Sequence, residues 1–221
     1  MSNITISLTL TFTTPPSVGA GGASGTLADK VVTRNAKNEF IIPASQVKGK
    51  LRHACEQLLR AQDVMLCQPP QPEQMCPNAD GVKSPCLLCQ IFGSPAHQSR
   101  LRFHDLTVKD ADLLPAETLR PMVSLNRRRR TAEEQRLFLI ETAPPFKGLK
   151  FENGEAITGQ VSDAAHLHLL LAGLQLLFAW GGGASRGLGW GEVTAEAWLD
   201  GAKVEFNKEE VKQLCQPSKS S

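Results

Sequence analysis

Four of the six cysteines, Cys67, Cys76, Cys86 and Cys89, fall in one short stretch with the spacing Cys-x8-Cys-x9-Cys-x2-Cys. A Zn²⁺ ion accepts four thiolates tetrahedrally and can hold folded a segment that has no core of its own. The Cys86-x-x-Cys89 pair carries most of that signal, and structural zinc is the expected cofactor. Two alternatives stand beside it: four unrelated thiols, or a redox pair. A redox CxxC normally opens a helix after a strand, which Ser84-Pro85 ahead of Cys86 fits poorly. His97 and His104 are the substitute ligands within reach along the chain.

A second group of residues suits an anion. Lys48, Lys50 and Arg52 crowd the first turns of a predicted helix that begins after Pro43. Cations there oppose the helix dipole, so helix stability does not account for them. Ser45 is placed to cap this helix. Arg127 to Arg130 form the densest charge run. On alternating strand-like backbone Arg127 and Arg129 would share one face and could grip a sugar–phosphate backbone. A solvated surface run is the plainer reading. The stretch GGGASRGLGWG (181–191) lets backbone N–H groups approach phosphate closely, with Gly183, Ser185 and Arg186 among them. A tight connection with one solvated Arg explains it equally well.

Other motifs fail. Ser45-x-x-Lys48 resembles an acyl-enzyme pair, yet neither SDN nor KTG follows. The glycine stretch is no Walker loop, and its order, helix before and strand after, reverses that of a dinucleotide site.

These residues sit in a chain of 221 residues that is 41% hydrophobic and 21% charged, which excludes a disordered or collagen-like molecule. The net charge of +2 does not announce a nucleic-acid binder, and 5% aromatics leave few stacking platforms. Charge is nevertheless uneven. Residues 30–60 hold seven Lys/Arg against Glu39 and Glu56, while acids are in excess from residue 137 onward. That suits a polyanion lying across one part of the surface. The N-terminus shows no signal-peptide pattern, and the most apolar segment, 167–180, is too short to span a bilayer. A cytoplasmic protein with no membrane partner is expected, and a reducing compartment keeps thiolates available for metal.

Residues 4–13 (ITISLTLTFT) alternate at period two as a half-buried strand. The helix after Pro43 follows, with Val47, Leu51, Cys55 and Leu58/Leu59 at helical spacing. Residues 66–99 are irregular, 100–109 and 137–142 are strand-like, and 164–180 form a strongly apolar helix with Leu167, Leu170/Leu171, Leu174 and Leu177/Phe178 as its buried stripe. A strand over 192–199 ends the series, and 217–221 are expected to fray. The order strand, helix, strand, strand, helix, strand predicts an α+β, ferredoxin-like (RNA-recognition-motif-like, βαββαβ) antiparallel sheet with both helices on one face.

Four blocks in sequence order then resemble the RAMP superfamily of CRISPR effector proteins. FIIPASQVKGKLR (40–52) is similar to its "IPGSSLKGxxR" signature, although Ala44 replaces the glycine. CQIFG (89–93) followed by SRLRFHD (99–105) resembles its "C-x-[IL]-FG … SRLxFxD" block. Residues 127–141 followed by Phe146 resemble its "R … E-x-[VA]-P" stretch, and GGASRGLGWG (182–191) its glycine-rich loop. The resemblance is greatest to the Cas-seven-type backbone subunit of type III complexes, with a zinc insertion like that of III-D and III-E members. It implies a single RAMP domain over 1–216, with a zinc-binding insertion at 66–99 and a thumb-like hairpin and strand region over 110–160. Its implied partners are CRISPR RNA, a complementary target RNA and other RAMP-family effector subunits. Ser45, Lys48, Lys50, Arg52, Arg127, Arg129, Gly183, Ser185 and Arg186 become the implied RNA-binding residues. In RNA-cutting members an Asp shortly before the signature helix drives target cleavage. GTLADKVV (25–32) resembles that loop, which implies Asp29 as catalytic residue, acting as a base or holding a divalent ion such as Mg²⁺. An inert RNA-binding scaffold of the same fold is the alternative, and a guide-processing endonuclease is a third.

Overall fold

The computed structural model describes residues 1–19, 28–81, 85–108, 117–144 and 148–215. The expected fray at 217–221 lies outside them. The alternation of Ile4, Ile6, Leu8, Leu10 and Phe12 with Ser and Thr does produce a strand, β1 (Ser2–Phe12), which buries the apolar side chains on one face. It sits at the centre of the main sheet, flanked by β7 (Leu149–Val161) and β8 (Gly191–Leu199), both antiparallel to it. The sheet continues from β7 through β4 (Leu106–Val108) to β2 (Ile41–Ile42), with β3 (Leu101–Phe103) also on β7. On the other side β8 passes to β9 (Ala202–Val204). Taking β3/β4 as one interrupted strand, the order β8-β1-β7-β3/β4 is that of a βαββαβ ferredoxin-like sheet.

Its two helices are α1 (Ala44–Arg60) and α3 (Ala164–Gln175). Val47, Leu51, Cys55 and Leu59 of α1 join Leu167, Leu170, Leu171 and Leu174 of α3 in one core with the buried face of β1. The helices approach closely at Gly173, where an added Cβ would come within 2.7 Å of Cys55 Sγ and 2.9 Å of Leu51 Cδ1. Asp163 caps α3 by accepting the Ala165 N–H at 2.9 Å.

Several elements differ from the sequence expectation. The third core strand is β7, not residues 137–142. Asn153-Gly154 in its middle reads as a turn signal. The structure absorbs those residues as an irregularity, the register moving from Ile6↔Ile157 to Leu8↔Asn153, with Asn153 Oδ1 accepting the Glu155 N–H. Residues 137–142 instead belong to β6 (Thr131–Thr142), which pairs with β5 (Thr118–Asn126) in a separate two-stranded hairpin and takes a single parallel bridge from Lys30 at Ile140. This is the thumb-like hairpin. Helix α3 stops at Gln175 rather than 180, so Phe178 is exposed instead of buried in a stripe. Ala179 pairs with Trp190, and the glycines that follow cannot sustain a helix. Two short elements, α2 (Leu87–Phe92) in the cysteine stretch and α4 (Lys208–Cys215), carry too few residues for a readable period.

Candidate nucleic-acid interface

Phe12 pairs with both Leu149 and Gly191, so β1 ends where β7 and β8 begin. Three segments are fastened together at that end of the sheet. The glycine-rich stretch is tied to 13–19 by Thr13 N–H to Trp190 C=O (2.8 Å), Gly189 N–H to Pro15 C=O (3.0 Å) and Gly182 N–H to Ser17 C=O (2.8 Å). The hairpin base is tied to the same segment by Ala143 N–H to Pro16 C=O (2.9 Å) and by the Ser17 hydroxyl, which donates to the Glu141 carbonyl at 2.9 Å. Residues 28–34 lie along the hairpin through Asp29 N–H to Leu139 C=O (3.0 Å) and Glu141 N–H to Lys30 C=O (2.9 Å).

The side chain of Glu141 locks this junction. It is 6% exposed, and its two carboxylate oxygens take the Val32 N–H at 2.9 Å and the Arg34 guanidinium at 2.7 Å. Arg34 also lies 4.1 Å over the Phe40 ring and 3.3 Å from Glu117. Composition and period give no hint of this pair, because its members are 107 residues apart.

In the glycine-rich loop Gly183 and Gly187 take left-handed conformations around a single 3₁₀ turn, Ala184–Arg186. At Gly189 a Cβ would strike the Trp180 carbonyl oxygen, so only glycine fits. Ser185 and Arg186 are exposed. The Trp190 indole N–H donates to the Ala184 carbonyl at 2.8 Å and pins the loop.

The cations of α1 divide between two flanks. Two positions apart means roughly 200° around a helix. Lys48 stands 5.8 Å from the Phe103 ring centre, whereas Lys50 stands 6.0 Å from that of Trp180, at the root of the glycine loop. Burial lowers both lysines below the usual value, and the Arg52 guanidinium adds to the effect at Lys48. Arg52 donates to the Gly93 carbonyl at 2.8 Å and approaches Cys89 Sγ at 3.9 Å. It therefore braces α1 against α2 with part of its guanidinium. Ser45 does not cap the helix. Pro43 occupies the cap position, and Asp105 reaches across to accept the Ala44 N–H at 2.7 Å. Proline lacks a side-chain acceptor, so the cap comes from a distant strand connection.

Arg127 to Arg130 are not on strand backbone. They form the exposed turn between β5 and β6, where Asn126 Oδ1 accepts the N–H groups of Arg128 (3.1 Å) and Arg129 (2.9 Å). The two-faced arrangement expected for Arg127 and Arg129 is thus replaced by four cations at the hairpin tip, because the Asn side chain closes a turn there.

A scan against family models matches "RAMPs: RAMP superfamily" over residues 9–192. The chain belongs to the RAMP superfamily. Comparison with curated proteins finds no match. Among solved structures it is similar to a chain of the cryo-EM structure of the type III-B Cmr-beta bound to cognate target RNA, with a TM-score of 0.59 and 16% identity. The alignment covers 90% of this chain but 61% of that one, so the RAMP chain described here spans about three fifths of that neighbour's length.

In this RAMP chain the four cysteines come together as their spacing suggested. All four are buried, and their sulfurs lie within 4.8 Å of one another, with Cys67–Cys89 at 3.5 Å and Cys67–Cys86 at 3.6 Å. A tetrahedral zinc with Zn–S bonds of about 2.3 Å sets sulfurs about 3.8 Å apart, so the donor set fits a Zn²⁺ ion. The pair Cys86-x-x-Cys89 does open a helix, with Cys86 at the cap of α2, but after a loop and inside a four-sulfur cage, which is a metal arrangement rather than a redox one. Burial pushes the Cys67 and Cys89 thiols up. At Cys86 burial acts in the same direction but is outweighed by hydrogen bonds from Cys67 and Cys89, which set that thiol below its usual value. Four buried thiolates repel without a cation between them, and an ion held there would help to fold the segment. Neither His97 nor His104 belongs to the cage.

Asp29 is exposed on the hairpin's flank, and one carboxylate oxygen, Oδ2, accepts the Leu139 N–H at 2.7 Å. The preceding part of its loop, 20–27, lies outside the described residues.

Two outcomes follow from this geometry. Replacing Glu141 by Ala leaves the Val32 N–H unpaired and Arg34 with Glu117 as its one remaining carboxylate, and is expected to cost about 1–3 kcal/mol in urea unfolding, with Glu141→Gln losing less. Elemental analysis of native protein should find one zinc per chain, and Cys86→Ser should lose metal and melt at lower temperature. Undamaged protein with substoichiometric zinc would contradict the cage.

Proposed function

We propose that this chain is a Cas-seven-type backbone subunit of a type III CRISPR effector complex, a single RAMP domain that binds CRISPR RNA alongside other RAMP-family subunits in the cytoplasm. One observation carries the reading: the glycine-rich loop, the Asp29 segment and the Arg-tipped hairpin, far apart in sequence, are hydrogen-bonded into one end of the sheet. Exposed Arg186 and Ser185, together with Lys50, offer donors to phosphate without reading bases, which suits a guide whose sequence is read by pairing. The resemblance in the zinc insertion favours the III-D and III-E groups.

A complementary target RNA would pair with the held guide, with Arg127 and Arg129 on the hairpin near it. Cleavage of that target is assigned to Asp29. The 2′-hydroxyl of a kinked target nucleotide attacks its own phosphorus, the 5′-oxygen leaves, and a 2′,3′-cyclic phosphate and a 5′-hydroxyl result. Asp29 would either accept the hydroxyl proton or hold a divalent ion such as Mg²⁺, which would supply charge stabilisation, through the oxygen not occupied by Leu139, while water protonates the departing 5′-oxygen. That same Leu139 bond favours a second reading, in which Asp29 docks a segment and the subunit is an inert scaffold.

The test is an assembled complex carrying Asp29→Ala. Guide content should be unchanged and cutting at the site assigned to this subunit should fall by at least a hundredfold, on the order of one acid–base contribution. Undiminished cutting would remove Asp29 from catalysis, and a complex that never cuts there supports the scaffold.

A further inference from the structure

Phe178 and Trp190 are 59% and 43% exposed, in a chain with few aromatic residues. Their rings contact each other, with centres 5.2 Å apart and planes tilted by 46°. Exposed apolar rings are costly unless something covers them, and these are held rigidly. Trp190 is fixed by its indole bond to Ala184, by its N–H to the Thr14 hydroxyl (2.8 Å), and by its carbonyl, which accepts from Thr13. Phe178 is fixed by its carbonyl, which accepts the Gly191 N–H at 2.9 Å. The Trp190 ring and the backbone at both residues are thus already ordered before any ligand arrives.

The charges beside this pair point to the occupant. Trp190 stands four residues after exposed Arg186, and its indole is bonded to the very turn that carries Arg186. A cation and an exposed serine beside a fixed aromatic surface match a single-stranded nucleotide: phosphate to the Ser185–Arg186 turn, base to the ring. An apolar protein segment would use the rings but gain nothing from the cation.

We infer that Phe178 and Trp190 form a stacking platform for one nucleobase of an RNA strand whose phosphate lies on the Ser185–Arg186 turn. This rests on the RNA-binding reading and deepens it, because it adds a base contact, indifferent to base identity, to a site otherwise built for phosphate.

The probes are a uridine 20-mer and the same sugar–phosphate backbone made abasic, each titrated into full-length protein and into Phe178→Leu and Trp190→Leu. Phe178 makes no side-chain hydrogen bond among the described residues, so its variant leaves the loop pinned. The uridine strand should bind each variant about tenfold more weakly than wild type, in the range for one stacked base. The abasic strand should bind wild type and Phe178→Leu equally, whereas Trp190→Leu, which also loses the indole bond to Ala184, should weaken both strands and the uridine strand more. Equal binding of the uridine strand by wild type and Phe178→Leu, or an equal loss on the abasic strand in Phe178→Leu, would overturn the platform while leaving RNA binding intact. If wild type binds neither strand, the RNA-binding reading itself fails and the platform with it.

Discussion

The ion pair between Arg34 and the buried Glu141 carboxylate holds together the end of the sheet where β1 stops. A carboxylate this deeply buried is stable only when its lone pairs are taken up, and here a guanidinium and a backbone N–H do so. The consequence is geometric. The chain leaving β1, the segment that carries Asp29 and the base of the hairpin all meet at Glu141, through its N–H, its carbonyl and its side chain. The hairpin lies outside the main sheet and the glycine loop joins it at Gly191, so their mutual position depends on this junction together with the buried Val18, Val32, Ala143 and Trp180 around it.

The second constraint is the four-sulfur cage. It anchors α2, and α2 presents the Gly93 carbonyl and Cys89 sulfur to Arg52. Arg52 therefore links the four-cysteine segment to the helix that displays Lys48 and Lys50. The helical twist sends those two lysines to opposite flanks, so α1 supplies cations to the glycine loop through Lys50 and to the β3 side through Lys48. Cations that crowd the first turns of one helix in the sequence are thus divided between two flanks in the fold.

What could be read from the sequence follows from whether the information was local. The alternation in β1, the apolar stripe of α1, the cysteine spacing and the glycine loop all sit within short windows, and the structure forms each of them. The long strand β7 was hidden because Asn153-Gly154 reads as a turn, and only pairing along both halves of β1 overrides it. The Arg run was given strand geometry because charge spacing says nothing about the Asn126 side chain that closes the turn. The cap of α1 by Asp105 and the Arg34–Glu141 pair were unreadable for a different reason: they join residues that only the finished topology brings together. Phe178 was assigned to a buried stripe because the apolar run continues past Gln175, where the backbone already leaves the helix.

The central claim is that RNA lies across the end of the sheet where β1 stops and β7 and β8 begin. Photo-crosslinking of the purified protein to its co-purified RNA, followed by mapping of the linked peptides, tests it most directly. Links should fall in residues 181–191, in 28–34 and at the hairpin tip. Links confined to α4 or to the opposite sheet end, where Ser2 meets Val161, would contradict it.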